Sequence, residues 1–311
     1  MSSGNLLFLM GRILGPLVSI SSSNWVICWV GLELSFLGAI PLLLSDSSFM
    51  SLSKESVVKY FCIQALGSGF LMLGGVLFFM GLSSYWVSDS ILVLSLFMKL
   101  GVFPMHFWVP SVTAGLNWMP MFILLGWQKI PPFALLINIL ENSYWMHSIL
   151  LVFGGISAMA GAITGLNQTS FRAMLGSSSI THTGWGCIGA VFGNLWVYFS
   201  LYCVSFGVLM MFCLMSENLM VSFGILGLSG LPPFMMFIGK WSILKSIIFS
   251  NISFLFLILP LSGALLSLFF YLKFFYSFYL SSISSTMNTK YSVFCSLILF
   301  SLSGVLFILL F

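Results

Sequence analysis

Charge is what this 311-residue sequence has least of: six acidic and ten basic residues amount to 5% of the chain, against about 25% in a soluble domain. With 60% hydrophobic residues and a mean hydropathy of +1.14, the chain cannot supply a water-facing surface around a buried core. That excludes a soluble globular domain and leaves an integral membrane protein. A formal charge of +4 is too dilute for a nucleic-acid footprint. The chain has no CxxC pair: Cys28, Cys62, Cys187, Cys203, Cys213 and Cys295 are scattered through apolar runs, so no metal or cluster spacing is present and packing is the expected role. Apolar–polar alternation over about 10 residues, the mark of a membrane barrel, is missing as well. The N-terminal stretch lacks a basic region and a small-residue cleavage site, so its apolar run is expected to stay as a helix, without a leader or import signal.

What the sequence does have is long continuous apolar runs, such as residues 5–20 and 253–280. A membrane helix needs about 20 apolar residues, and with a short turn the unit is roughly 28, which predicts about eleven spans. Turn clusters place them near 5–21, 24–44, 57–80, 87–104, 117–139, 145–166, 171–191, 194–216, 222–249, 253–277 and 290–310. Short polar connectors (SDSSFMSLSKES, SSYWVSD, ENSYW, SSISSTMNTK) hold much of the charge, and no stretch is long enough for a soluble cofactor-binding module. Arg12, Lys54, Lys59, Arg172 and Lys290 fall near span ends, where orientation and head-group anchoring are their expected work.

Two spans are interrupted. In ILVLSLFMKLGVFPMHFWVP, Gly101 and Pro104 follow Lys99; in FGILGLSGLPPFMMFIGKWSIL, Gly230, Pro232 and Pro233 precede Lys240. Proline removes a backbone donor, and a broken helix at membrane depth survives only inside protein or along a wet cavity. Both breaks are therefore expected near mid-membrane and shielded from lipid. The two lysines are 240 − 99 = 141 positions apart, and paired interrupted helices in two halves point to a transport pathway and an internal repeat.

Four ionisable residues lie well inside apolar spans: Glu33, Lys99, Lys129 and Lys240. Each costs about 2.5–3.5 kcal/mol at a helix centre on insertion scales, so each must face protein or water. One acid cannot neutralise three bases, so at least two lysines need water, carbonyl oxygens or a neutral state. Burial disfavours the charged form of a lysine, which suits a reversible proton carrier. The competing reading is a static Glu33–lysine pair with structural lysines on carbonyls freed by Pro104 and Pro131. His182, flanked by Ser179, Thr181 and Thr183 in SSSITHTGWG, suits a relay or a hydrogen-bonded packing role. His106 and His147 read as structural or head-group contacts, and Asp46, Asp89, Glu141 and Glu217 as solvated loop-edge residues. Lys245 and Lys273 are close enough to span ends to snorkel.

The strings around these charges resemble the NADH–ubiquinone oxidoreductase chain 2 family, a membrane subunit of mitochondrial respiratory complex I. They are WVGLELSFLGAIPLLL, ESVVKYFCIQALGS, FMKLGVFPMHFWVPSV, LLGWQKIPPFALL, NQTSFRAMLGSSSITHTGWG and GLSGLPPFMMFIGKW, in family order from about residue 24 to 245. The resemblance implies an antiporter-like subunit whose central polar axis falls on Glu33, Lys99, Lys129 and Lys240. It also implies that the chain starts just before the GLE helix, without three helices found in bacterial relatives. Ser111 stands where some relatives carry an acid, so no role is assigned there.

The expected fold is an all-α, polytopic, single transmembrane domain over 1–311. It would hold two related five-helix units (1–140 and 141–280), each with a discontinuous helix, and a terminal helix in 281–311. The expected function is a core subunit of NADH:ubiquinone oxidoreductase, a translocase, in the mitochondrial inner membrane. NADH, flavin, iron–sulfur clusters and ubiquinone would be handled by other subunits, with no cofactor or redox centre on this chain. Partners would be neighbouring antiporter-like subunits and lipid. The implied mechanism has Glu33 holding Lys99 charged, Lys99 passing its proton towards Lys129 through water and His182, and Lys240 completing the path. Glu33 and Lys99 should then approach to salt-bridge or single-water distance. A free-standing cation/proton antiporter and a static assembly scaffold are the alternatives.

Overall fold

The computed structural model describes residues 3–44, 50–81, 84–232, 234–250 and 254–283. These form α1 (Ser3–Ser21), α2 (Trp25–Leu44), α3 (Met50–Met80), α4 (Tyr85–Leu100), α5 (Trp108–Ala114), α6 (Trp118–Leu125), α7 (Ile130–Asn142), α8 (Trp145–Leu166), α9 (Phe171–Val191), α10 (Leu195–Leu214), α11 (Asn218–Ser229), α12 (Met235–Phe249) and α13 (Leu255–Ile283), with no strand among the described residues. Five segments are long and apolar enough to cross a membrane unbroken or nearly so: Leu52–Met80, Trp118–Glu141, Trp145–Leu166, Leu195–Leu214 and Leu255–Ser282. The expected span over 290–310 lies outside the described residues, as do Asp46, Pro233, Lys290 and Cys295.

Where helices must approach closely, the sequence supplies glycine. A Cβ on Gly15 would fall 2.6 Å from the Gly31 carbonyl, and one on Gly184 2.6 Å from the Gly154 carbonyl. Small residues let the α1–α2 and α8–α9 backbones touch, the main source of packing energy when lipid is as apolar as the side chains. Helix α9 is the centre of the bundle: every residue from Ala173 to Ala190 is buried. Helices α5, α8, α10 and α13 all pack on it.

Three segments depart from the expected spans. Residues 50–56, placed in a connector by their polarity, continue α3, with an exposed i,i+4 ion pair between Lys59 and Glu55 at 2.6 Å. The 87–104 span stops at Leu100 and resumes only as α5, with Gly101 at φ 73° closing α4. The 117–139 span divides at Gly126 into α6, a 3₁₀ turn over Trp127–Lys129, and α7. Pro131 and Pro132 explain it: an α-helix through this point would need their amides to donate to the Trp127 and Gln128 carbonyls, and proline has none. They occupy the first turn of α7, where the missing donor does no harm.

Candidate functional site

Both interrupted spans break at a left-handed glycine, Gly101 at φ 73° and Gly230 at φ 76°. At the first break the amides of Gly101 and Val102 donate to the Phe97 carbonyl at 2.9 and 3.0 Å. The neighbouring carbonyls of Met98 and Lys99 accept from Trp108 Nε1 at 3.1 Å and Gln64 Nε2 at 3.4 Å. At the second break Lys240 Nζ folds back to donate to the Ser229 carbonyl at 2.8 Å. Lys99 thus lies on the last turn of one half-helix and the Lys240 ammonium at the C-terminal end of another, where the helix dipole favours a cation. Gly101 and Val102 are buried, whereas Pro104 at the first break and Pro232 at the second are both exposed on the surface of the chain.

Lys99 faces a small cavity of about 30 Å³ that it shares with Ser35, Tyr60, Gln64, Gln128 and Lys129, room for about two water molecules. Its walls carry a short relay of side chains: Tyr60 donates to Gln128 Oε1 at 2.9 Å, and Gln128 Nε2 donates to the Ser35 carbonyl at 3.3 Å. Lys129 is buried, donates from Nζ to the Ser179 carbonyl at 3.3 Å, and lies 5.8 Å from the centre of the Tyr202 ring. It therefore has a fixed carbonyl partner that its sequence neighbourhood does not reveal.

His182 packs against Tyr202. Its Nδ1 is 2.8 Å from the Tyr198 hydroxyl, its Nε2 is 3.2 Å from the Tyr271 hydroxyl, and its ring is 4.9 Å from that of Tyr202. A neutral imidazole has one donor and one acceptor nitrogen, and each tyrosine hydroxyl can serve either, so this cluster can pass a proton without a change in net charge. His182 is within electrostatic reach of both Lys240 and Lys129. It does not line the cavity that Lys99 and Lys129 share. Helix α9 carries it from the bundle centre to the second half.

Other expectations also change. Glu33 is half-buried and interacts electrostatically with Lys99 and Tyr60. Among the described residues, however, the one ion pair within 4.0 Å is Lys59–Glu55, so Glu33 and Lys99 are not in direct contact. Arg12 is no head-group anchor. It is mid-helix in α1 and 1% exposed, with Nη2 donating to the Pro120 carbonyl at 3.5 Å and no acceptor for Nε or Nη1 among the described residues. Asp89, expected to be solvated, is buried in α4. Arg172 lies over the Trp118 ring at 4.8 Å, and Lys54 is exposed. His106 Nδ1 approaches the Pro104 carbonyl at 3.2 Å, and His147 Nε2 the Leu140 carbonyl at the same distance. Glu141 and Glu217 are exposed, as are Lys245 and Lys273.

Sequence reasoning missed Tyr60, Gln64, Gln128, Tyr198, Tyr202 and Tyr271. The signal for two of them was the i,i+4 spacing of Tyr198 and Tyr202, which places both hydroxyl-bearing rings on one face of α10.

Buried lysines, a histidine–tyrosine cluster and two broken helices in an all-helical membrane bundle define the class of antiporter-like membrane subunits. The family described as NADH:quinone oxidoreductase/Mrp antiporter, TM, matches residues 22–223. NADH-ubiquinone oxidoreductase chain 2 of Albinaria caerulea is 35% identical over 269 residues, covering 86% of this chain and 87% of the relative. The chain 2 protein of Branchiostoma floridae is 38% identical over 295 residues, covering 86% and 83%. The chain belongs to the NADH-ubiquinone oxidoreductase chain 2 family. Its fold is also that of a chain in respiratory complex I from Thermus thermophilus, with a TM-score of 0.80 at 20% identity, covering 100% of this chain and 81% of that one.

Proposed function

We propose that this chain is a core membrane subunit of a proton-translocating NADH:ubiquinone oxidoreductase, and that its own task is to carry protons between Lys99 and Lys240. The observation that supports it best is continuity. Lys99, the Tyr60–Gln128 cavity, Lys129, Tyr202 and the His182 cluster follow one another to Lys240 through the middle of the bundle. Buried titratable groups in apolar spans are unfavourable unless they do work, and here they are lined up rather than paired off.

The electrostatics suggest an order of events. Lys99 and Lys240 are each supported by a helix C-terminus, whereas Lys129 stands at the N-terminus of α7, where the dipole opposes a cation. Lys99 and Lys240 act as resting sites for a proton and Lys129 as the transit site between them. Glu33 supports the charge on Lys99 from a distance. A change arriving from a neighbouring subunit that weakens this support releases the proton through the cavity to Lys129, and the His182–tyrosine cluster passes it to Lys240. Electron transfer from NADH to ubiquinone, with its flavin and iron–sulfur clusters, belongs to other subunits of the assembly. The chain would lie in the mitochondrial inner membrane as a multi-pass subunit against other antiporter-like subunits and lipid. We further propose eleven crossings in two related five-helix units, near 1–140 and 141–280, because the left-handed glycine break falls in the fourth crossing of each.

Lys129→Met tests the proposal. It keeps length and apolar packing and removes the titratable group, so the complex should assemble and lose most of its proton translocation, together with NADH–ubiquinone turnover where coupling is tight. Lys129→Arg should fail too, since arginine does not release its proton. An assembled Lys129→Met complex with the normal proton-to-electron ratio and rate would make Lys129 a strut, and a subunit with purely structural charges the better reading.

A further inference from the structure

A second, larger cavity of about 300 Å³ opens among α1, α2, α3, α4 and α7, outside the lysine path. Its rim is polar, formed by the α1–α2 turn (Ser22, Ser23, Asn24). Inside it lies Asp89, a carboxylate on a residue only 6% exposed and without an ion pair among the described residues. At Cys28 and Pro131 it comes up against the small cavity of Lys99, whose wall includes Leu32, one turn along α2, and Pro132. We propose that this cavity is an aqueous access to Lys99 and that Asp89 is a proton-carrying residue within it. The inference rests on the proton-translocation reading above and adds a residue and a route to it.

A physical argument favours water over a lipid tail as the occupant. A buried, unpaired carboxylate against an acyl chain would forgo all of its hydrogen bonds, at a cost of several kcal/mol, whereas water satisfies it. The distances fit an access route. Asp89 and Lys99 are ten positions apart on α4, about 15 Å at 1.5 Å per residue, or roughly half of a 30 Å hydrocarbon layer. On α4 the cavity is lined from Asp89 to Leu92, so it covers the outer part of that distance and stops about two turns before Lys99.

In the step itself, the Asp89 carboxylate takes a proton from water at the rim and becomes the neutral acid. It then gives that proton, through water, to the neutral amine of Lys99 and returns to the carboxylate. The reverse sequence serves release, and no other reactant is consumed.

Cys28 provides a direct probe in the assembled complex. In sealed membrane vesicles of each orientation, a charged, membrane-impermeant methanethiosulfonate is applied and the Cys28 peptide is quantified by mass spectrometry. We expect modification from one face only, and its loss in Ala134→Phe, which fills the cavity without touching a charge. Asp89→Asn should lower proton translocation severalfold while Asp89→Glu restores it. Reaction of Cys28 with a small apolar maleimide but not with the charged reagent from either face would show a lipid-filled cavity and overturn the proposal. So would Asp89→Asn, or Ala134→Phe should Asp89→Asn fail to assemble, pumping at the native rate. Labelling of Cys28 requires no proton transport, so this access can fail while Lys129→Met still abolishes pumping. The converse pattern would refute the transport reading alone.

Discussion

The two broken helices use the same backbone device and treat their lysines in opposite ways. At Gly101 the helix end is capped by other residues, Trp108 and Gln64, and Lys99, on the last turn of α4, is left facing a cavity. At Gly230 the lysine itself is the cap, arriving from α12 to bind the Ser229 carbonyl. The surroundings differ in the same sense. The first half has a cavity lined by its lysine, while the second surrounds His182 with three tyrosine rings. One broken helix thus presents an ammonium to a cavity and the other an ammonium tethered to a carbonyl. A difference in setting, rather than in residue type, separates the two ends of the proposed proton path.

Alanine at the two glycines should separate these roles most strongly. Both substitutions place an L-residue in the left-handed region, at roughly 1–2 kcal/mol. At Gly101 the new Cβ would also fall 2.5 Å from Val109 Cγ2, in a buried, β-branched and therefore stiff side chain. At Gly230 it would fall 2.7 Å from Lys240 Nζ, the movable end of a flexible one. Gly101→Ala should therefore sharply reduce assembled complex on native gels. Gly230→Ala should assemble better and instead lose proton translocation, because it dislodges Lys240. Equal assembly defects in the two variants would mean that backbone strain alone governs both breaks.

Lys240→Gln gives the next effect. An amide already caps the other break, where Gln64 Nε2 reaches the Lys99 carbonyl, so glutamine can keep the Ser229 contact while losing the titratable group. Assembly near native with proton translocation largely lost is the expected pattern, read as protons per electron in vesicles. Full pumping would reduce Lys240 to a helix cap. Within the His182 cluster, Tyr198→Phe and Tyr271→Phe each remove one hydroxyl partner, worth about 0.5–1.5 kcal/mol in stability. If both nitrogens are needed for relay, each variant should slow pumping and change its solvent-deuterium isotope effect. Unchanged isotope effects in both would leave His182 a packing residue.

The four central charges were legible because a charge in an apolar run announces its cost, and the glycine–proline pairs marked where the helices end. The rest of the site is made of residues that are at home in a membrane helix. Tyr60, Tyr198, Tyr202 and Tyr271 bury large rings with small polar tips, and nothing in their immediate sequence says which tips meet. Gln64 and Gln128 are visible as isolated amides, but their partners lie 35 and 93 positions away. Arg12 and Asp89 were misread for a common reason. Closeness to a span end in sequence was equated with closeness to water, whereas α1 carries Arg12 mid-helix and neighbouring helices cover Asp89. The order of His182 relative to Lys129 depends on how α9 crosses α7 and α10, which no local pattern encodes.

The smallest expected effect is at Gln64, and it sharpens the contrast between the two helix ends. Its bond to the Lys99 carbonyl is long, 3.4 Å, and the Met98 carbonyl beside it is held independently by Trp108 at 3.1 Å. Gln64→Leu should thus cost well under the roughly 1 kcal/mol of an ordinary hydrogen bond, a thermal shift of a few degrees at most. Its consequence for transport should still exceed that, because Gln64 lines the cavity between Lys99 and Lys129. Leucine replaces a polar wall with an apolar one and makes water there less favourable. A near-native melting profile with a modest fall in pumping rate is the expected pair of results. If stability falls steeply while the pumping rate per assembled complex is unchanged, Gln64 is a helix cap and no part of the path. The first break would then resemble the second more closely than its cavity suggests.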